Sequence, residues 1–354
     1  MATKRNTKKK KVKGIRFGVT LIILLALISS SFFYSIFLRP ATTFTQEEHT
    51  IYIPKRNAEK SFVKEKVKSQ VKRVQYTTFL ALAEWTGYWN EIRSGRYLIK
   101  KNASIFTIFR MLNGGLQTPV TLTINKFRTK KDLVKFVSNK FEFKEAEMAA
   151  FIYDNDSIKE YGLDQATFMT IIIPNSYDIY WDVTPKEFVN RMYRESNNFW
   201  SKHRKSQAKE ADLSKEEVYT LASIIEEETN NNKEKPLMAS VYINRLRKGM
   251  TLGADPTIKF ALGDFSIKRI TITHIKKSAS SPYNTYRKIG LPPGPICTPS
   301  IASIDAVLNY KKTDYLYFCA KEDFSGSHNF AETAEEHFVN ARKYRKALDS
   351  LRIR

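Results

Sequence analysis

The chain has 354 residues, a formal net charge of +23 and two cysteines, Cys297 and Cys319. Two cysteines are too few for a disulfide scaffold, and their separation excludes a CxxC redox or zinc motif. A single disulfide is compatible with an oxidising compartment, but free, buried thiols are our preferred interpretation. No HExxH or GxxxxGK motif is present, so nothing indicates a metal, a nucleotide or another cofactor.

The N-terminus combines a basic tail, residues 1–16, with an apolar stretch over residues 17–38. About 20 apolar residues span a bilayer core as one helix. A signal peptide is the alternative, but the apolar run is long and no small-x-small cleavage site follows it. We therefore predict an uncleaved single-pass anchor with a cytoplasmic tail and an extracytoplasmic remainder. The excess of positive charge favours anionic partners, and this topology excludes nucleic acid.

Residues 48–124 predict a small α+β module. An alternating strand begins near Thr50, and a polar helix then extends to Val71. An aromatic helix is predicted from Phe79 to Trp89, a strand over residues 96–99, a helix capped by Ser104, and a strand over residues 120–124. The aromatic side chains of Trp85, Tyr88 and Trp89 could stack on sugar or fill a core.

Residues 125–351 predict a second domain of mixed α/β type. Helices are expected over residues 130–141, 145–153 and 185–200, and a short buried strand over residues 171–173. The chain closes with a basic amphipathic helix from Ala334 to Leu351.

The stretch Leu213–Pro256 contains the strongest candidate for chemistry. Ser214 and Glu217 form a capping-box pattern before an apolar helical face. At 100° per residue, Glu226 and Glu228 flank this face, whereas Glu227 points away from it and is expected to be solvated. A partly desolvated carboxyl has a raised pKa and can donate a proton, although a solvated helix end is the plainer alternative.

Seven segments then follow in an order that carries a resemblance. They are ASIIEEET at 222–229, NRLRKGM at 244–250, DPT at 255–257, SPYNTY at 281–286, GLPPGPI at 290–296, YLYF at 315–318 and GSHNF at 326–330. Together they closely resemble the YceG-like family of membrane-anchored endolytic murein transglycosylases. No single segment is diagnostic, but the ordered set is.

The resemblance implies an α+β chain with one transmembrane helix, a LysM-like module and a YceG-like catalytic domain. Its reaction is non-hydrolytic cleavage of the bond between N-acetylmuramic acid and N-acetylglucosamine in nascent glycan strands, which leaves 1,6-anhydro ends and terminates elongation. One carboxyl acts as acid and then as base, and by position this is Glu226, with an expected pKa near neutral. Apolar neighbours, and the negative Glu227, would raise that pKa.

The same resemblance implies supporting or substrate-binding roles for a further set of residues. These are Glu228, Asn244, Arg245, Asp255, Tyr283, Asn284, Tyr286 and His328.

All of these except Asn244 have a structural alternative. Glu228 could simply end its helix, Arg245 could be ion-paired to Asp255, and Asp255 could fix a turn. The segment from Tyr283 to Tyr286 could be an ordered loop, and His328 could be incidental.

The chain also departs from the family pattern. Asn125-Lys126 replaces the usual Glu-Gly, and Asn175-Ser176 replaces an acidic residue and threonine. Before Asp255, Gly253-Ala254 replaces Gln-Thr. Whether the LysM-like module binds glycan or only positions the second domain stays open. Peptidoglycan synthases are expected partners. The alternative functions are a non-enzymatic wall-binding scaffold with the same topology and, more remotely, a nucleic-acid-binding protein whose apolar segment is misread.

Overall fold

The computed structural model describes residues 3–350, with side chains from residue 16 onward. The side chains of the predicted basic tail, Lys4 to Lys13, and the predicted helix end at Leu351 lie outside the described residues. The described chain mixes helices and strands, as predicted. It forms two compact units, one extending to Val120 and including Tyr180–Asp182, the other made of Thr121–Ile179 and the residues from Val183 onward.

The first unit begins with the apolar helix and continues into a small α+β body. Its elements are α1 (Thr3–Phe33), a π-helical turn (Tyr34–Leu38), β1 (Glu48–Ile53), α2 (Lys60–Gln70), α3 (Arg73–Trp85), β2 (Gly95–Lys100) and α4 (Ile105–Asn113). Within it, Arg16–Leu38 is long and apolar enough to cross a membrane. The strands β1 and β2 are antiparallel, with Glu48 opposite Lys100 and Ile53 opposite Gly95.

The core of this body lies between the hairpin and the helices. Alternate residues of the strands, among them Ile51, Ile53 and Tyr97, are buried against Val63 of α2 and Phe79 of α3. The aromatic helix differs from the prediction, because it begins at Arg73 and ends at Trp85. Gly87, with a φ of 71°, then turns the chain into a separate 3-10 turn at Tyr88–Asn90.

The second unit is mainly helical, with short strand pairs. Its elements are β3 (Val120–Thr123, whose first residue belongs to the first unit), α5 (Lys130–Ser138), α6 (Glu145–Tyr153), α7 (Asn155–Lys159), β4 (Ser176–Ile179), α8 (Pro185–Phe199), α9 (Lys202–Glu210), α10 (Lys215–Glu228), α11 (Lys235–Arg247), α12 (Asp255–Leu262), α13 (Ile272–Lys277), α14 (Ile301–Leu308), β5 (Tyr317–Ala320), β6 (His328–Ala331) and α15 (Ala334–Ser350). The strands pair as β3 with β4 and, antiparallel, β5 with β6.

The predicted strand over residues 171–173 is wrong. Phe168–Ile171 forms a 3-10 turn, and the strand that follows it begins at Ser176. A short apolar run does not by itself distinguish a strand from another buried segment, and here the run is buried in the core without a strand partner.

The core of the second unit is built around α10, which packs against α11 and α14. Every residue from Val218 to Ile225 is buried, so the helix has no solvent-facing side along this stretch. Both cysteines are free, as preferred from the sequence. Cys297 is buried, but Cys319 is only half-buried, so the prediction of burial is wrong for Cys319.

Candidate active site

The last turn of α10 carries three consecutive glutamates into three different environments. The helix is started by a complete capping box, in which the Ser214 hydroxyl accepts from the Glu217 N–H and the Glu217 carboxylate accepts from the Ser214 N–H. Because this helix is buried over eight residues, the carboxyl groups at its end enter surroundings set by other segments rather than by solvent.

Glu226 accepts a dense set of hydrogen bonds at one oxygen. The hydroxyls of Ser300 and Ser303 donate to its Oε2 at 2.6 and 2.5 Å, and the Lys235 ammonium group lies 3.1 Å from the same atom. The Ser300 N–H adds a weaker contact of 3.3 Å. All four bonds reach Oε2, which leaves the acceptor capacity of Oε1 for a ligand.

The expected near-neutral pKa of Glu226 is wrong for the free protein. Burial raises the pKa, as the apolar neighbours in the sequence indicated, but the hydrogen bonds from Ser300 and Ser303 and the charge of Lys235 outweigh burial. The pKa of Glu226 therefore lies below its ordinary value. The position of Ser300 as N-cap of α14 also favours the carboxylate, since a helix N-terminus attracts negative charge.

Lys235 is itself nearly inaccessible, with 5% of its side chain exposed. It follows Glu234, whose carboxylate accepts from the His328 N–H at 2.9 Å and lies 3.0 Å from the His328 ring. His328, one of the predicted supporting or substrate-binding residues, is thus paired with a glutamate. This pair joins β6 to the start of α11 beside Lys235.

The prediction that Glu227 is solvated is wrong. Only 16% of its side chain is exposed, and Lys126 and Arg128 each place a nitrogen 3.0 Å from its carboxylate. Burial raises the pKa of Glu227, but these two cations lower it by more than burial raises it. The pKa of Glu227 therefore lies below its ordinary value. Helical periodicity locates a side chain relative to its own helix, but it does not show that the segment 126–128 covers that side.

Glu228 has the opposite character. The residue keeps a small exposed surface, but burial of its carboxyl raises the pKa to about 7. A hydrogen bond from the Tyr242 hydroxyl lowers the pKa, but by less than burial raises it. That bond measures 2.8 Å. The pKa values of Glu226 and Glu228, two residues apart, are therefore shifted in opposite directions.

A cleft of about 400 Å³ opens beside Glu226. It is lined by Thr123, Ile124, Asn125, Lys126, Pro174, Asn175, Ser176, Glu226, Thr298, Ser300 and Ile301. Thr298 joins two of its walls, because its hydroxyl donates to the Asn125 carbonyl at 3.0 Å and accepts from the Phe127 N–H at 2.8 Å. Two of the departures from the family pattern, Asn125-Lys126 and Asn175-Ser176, thus line the same cleft as Glu226.

Among residues 16–350, the other predicted contact residues do not line this cleft. Asn244 donates to the carbonyls of Thr313 and Tyr315 at 2.6 and 3.0 Å. Arg245 donates to the carbonyls of Leu316 and Leu252 at 2.6 and 2.7 Å. Both side chains hold the segment that leads into β5, and Arg245 makes these bonds to carbonyls rather than the considered ion pair with Asp255.

The segment 283–286 is an ordered loop. Asn284 is fully buried, and its amide donates to the Ile275 carbonyl and the Ser278 hydroxyl, both at 2.9 Å. Tyr283 packs against the ring of Phe260. Tyr286 is 37% exposed and donates its hydroxyl to the carboxylate of Asp255, at the start of α12.

Sequence reasoning missed Lys235, Ser300 and Ser303, which surround Glu226. Ser300 before an apolar run signals a helix start, so α14 could have been predicted. Nothing local shows that this helix start faces a carboxylate more than seventy positions earlier in the chain.

The sequence is similar to those of known proteins. The chain is 36% identical over 163 residues to an endolytic murein transglycosylase of Bacillus subtilis (strain 168), which covers 46% of this chain and 44% of that protein. It is 26% identical over 294 residues to an endolytic murein transglycosylase of Streptococcus pneumoniae (serotype 2), covering 75% of this chain and 53% of that protein. The chain thus spans about half the length of the curated relatives it matches.

A solved structure and a family profile extend the comparison. The 2.6 Å crystal structure of a YceG-like protein from Listeria monocytogenes aligns with a TM-score of 0.53 and 26% identity, covering 83% of this chain and 99% of that chain. The profile of the YceG-like family matches residues 51–343, which is most of the sequence. The chain therefore belongs to the YceG-like family.

Proposed function

We propose that this chain is a membrane-anchored lytic transglycosylase that cleaves nascent peptidoglycan strands between N-acetylmuramic acid and N-acetylglucosamine. The observation that carries the proposal is the carboxyl of Glu226, which borders an open cleft and is held at one oxygen by Lys235, Ser300 and Ser303. The names of the relatives from Bacillus subtilis and Streptococcus pneumoniae support the substrate class.

The reaction needs one group that first donates a proton and then accepts one. Protonated Glu226 gives its proton to the glycosidic oxygen as the bond from that oxygen to muramoyl C1 breaks. The resulting carboxylate takes the proton of the muramoyl 6-hydroxyl as O6 bonds to C1, so no water is consumed. The hydrogen bonds to Oε2 stabilise the carboxylate formed in the first step, which makes Glu226 a stronger acid once it is protonated.

The lowered pKa has a consequence for the pH dependence of this reaction. Free enzyme must take up a proton at Glu226 before cleavage, so kcat/KM falls as the pH rises above the pKa of that carboxyl. The proposal therefore includes an activity optimum on the acidic side of neutrality.

We propose positioning roles for five of the remaining predicted residues. Asn244, Arg245 and Asn284 hold loops through backbone carbonyls, Asp255 accepts from Tyr286, and Glu228 is bonded to Tyr242. For Tyr286, Tyr283 and His328 the proposal keeps sugar contact, and it is best supported for Tyr286, whose ring is more than one-third exposed.

The remaining proposals concern organisation and location. Residues 48–124 are proposed as a LysM-like module and residues 125–351 as the catalytic domain. The apolar stretch Arg16–Leu38 is proposed as a single-pass anchor in the cytoplasmic membrane, because the basic residues precede it. The α+β body of the first unit and the whole second unit are then extracytoplasmic. Such an anchor would keep the catalytic domain close to peptidoglycan synthases, the proposed partners.

Mass spectrometry of the cleavage products tests the proposal. Full-length protein is incubated with uncrosslinked glycan strands beside Glu226→Gln, and Glu210→Gln on the exposed end of α9 serves as a matched control. The unmodified and control proteins should release 1,6-anhydromuramoyl ends, whereas Glu226→Gln should be slower by about 10²–10⁴-fold. Reducing ends would indicate a hydrolase, and intact strands in every sample would favour the wall-binding scaffold.

A further inference from the structure

The apolar helix joins the α+β body of the first unit without a free linker. Ile36, in the π-helical turn before Leu38, is buried, and the ring of Phe37 lies 4.4 Å from that of Phe106 in α4. Only a few residues later, Ala41 is fully buried and its N–H donates to the Ala103 carbonyl at 2.9 Å. The body of the first unit is therefore attached directly to the end of the apolar stretch.

Helix α3 begins at this junction. The residue before it, Lys72, donates its N–H to the Ala41 carbonyl at 2.8 Å and its ammonium group to the Pro40 carbonyl at 3.2 Å. In a bilayer, the headgroup region adds about 5–7 Å on each side of the hydrocarbon core. A residue bonded to Pro40, two positions beyond Leu38, lies within that region if Arg16–Leu38 spans the membrane.

One exposed stripe of α3 contains no charged residue, and the exposed Arg73 and Glu84 lie outside it. Val74, Thr77, Ala81 and Trp85 recur at spacings that share one side of a helix, and all four are exposed. Val74 is 60% exposed and Trp85 is 84% exposed. The helix contains only two charged residues, Arg73 and Glu84, in a chain whose formal charge is +23.

A sugar-binding platform fits this face less well. Tyr88 is 2% exposed, and the Trp89 ring has the ammonium groups of Lys60 and Lys64 at 5.3 and 5.7 Å. Among residues 16–350, no ring packs against Trp85, which is 84% exposed. An exposed tryptophan on an uncharged stripe of a helix that begins beside an anchor is typical of a membrane interface.

We propose that the face of α3 formed by Val74, Thr77, Ala81 and Trp85 rests in the headgroup layer of the bilayer that the anchor crosses. The proposal rests on the proposed anchor. With 13 residues, α3 is about 20 Å long, so this contact would fix the tilt of the first unit in addition to its height. The first unit would then be held at the membrane surface rather than tethered loosely above it.

Tryptophan quenching tests the contact. Full-length protein is reconstituted in nanodiscs of phosphatidylcholine and phosphatidylglycerol, with or without lipids brominated close to the headgroup. The emission of Trp85 is obtained by subtracting the emission of the Trp85→Phe protein from that of the unmodified protein. The same subtraction with Trp89→Phe gives the emission of Trp89, a partly buried ring that serves as the control. Trp85 is exposed, so its replacement leaves the core intact.

Brominated lipid should lower the Trp85 difference emission at least about twofold and the Trp89 difference emission much less, because an interfacial helix places its apolar side chains at headgroup depth. Co-elution of the protein with the nanodiscs tests the anchor separately. Unquenched Trp85 in protein that does co-elute would overturn the proposal. So would a spectral shift of Trp85 on addition of N-acetylglucosamine oligomers, which would assign this face to sugar.

Discussion

Replacing Lys235 by methionine should raise the pKa of Glu226. The substitution keeps the length and apolar stem of a side chain that is 5% exposed, but it removes the positive charge 3.1 Å from Oε2. An opposite charge at this range lowers a carboxyl pKa by about 1–3 units, which corresponds to about 1.4–4 kcal/mol. Losing that charge should therefore restore most of this shift.

The assay is kcat/KM for glycan cleavage measured from acidic to alkaline pH. Because activity falls when free Glu226 loses its proton, the alkaline limb of the profile should move upward by about 1–3 pH units in Lys235→Met. The acidic plateau should fall at the same time, since the carboxyl becomes a weaker acid.

Two further variants make this result specific to the charge. Lys235→Arg should keep the limb near its original position, and Lys233→Met, which removes an exposed charge two residues away, should leave it unchanged. Circular dichroism at each pH identifies any loss of fold. A folded Lys235→Met protein with an unmoved alkaline limb would refute the contribution of the Lys235 charge to the lowered pKa of Glu226.

Two other predictions use the same cluster of carboxyl groups. Ser303→Ala removes one hydrogen bond to Glu226 and should shift the alkaline limb of kcat/KM upward by about 1 pH unit. The thermal midpoint should change little, because Ser300 still caps α14. A downward shift of the limb would contradict this prediction. Glu228 has a folded pKa of about 7 against an ordinary 4.5, so the stabilisation gained by its proton is complete below pH 4.5 and lost as the pH rises through 7. Glu228→Gln should therefore have the same unfolding free energy as the unmodified protein near pH 4, and a higher one by on the order of 3 kcal/mol near pH 8. Urea unfolding at the two pH values measures this difference. Equal stability of the two proteins at both pH values would show that burial does not raise the pKa of this carboxyl.

The start and the burial of α10 follow from residues close to one another in the sequence. Ser214 and Glu217 define its start by reciprocal hydrogen bonds between neighbours, and the apolar run that follows predicts a buried helix. Short-range signals of the same kind explain why the predicted ends of α5, α6 and α8 lie close to the observed ends. Capping and periodicity depend on residues within a few positions of one another, which a sequence displays directly.

The electrostatics of the candidate site were decided only by the tertiary structure. Periodicity placed Glu227 in solvent, but Lys126 and Arg128 cover it from about one hundred positions away in the chain. Local apolar neighbours indicated a raised pKa for Glu226, but Lys235 and two serines of a distant helix start reverse the shift. A carboxyl pKa depends on charges and donors within a few ångströms, and in this protein the fold brings most of those groups from other segments of the chain.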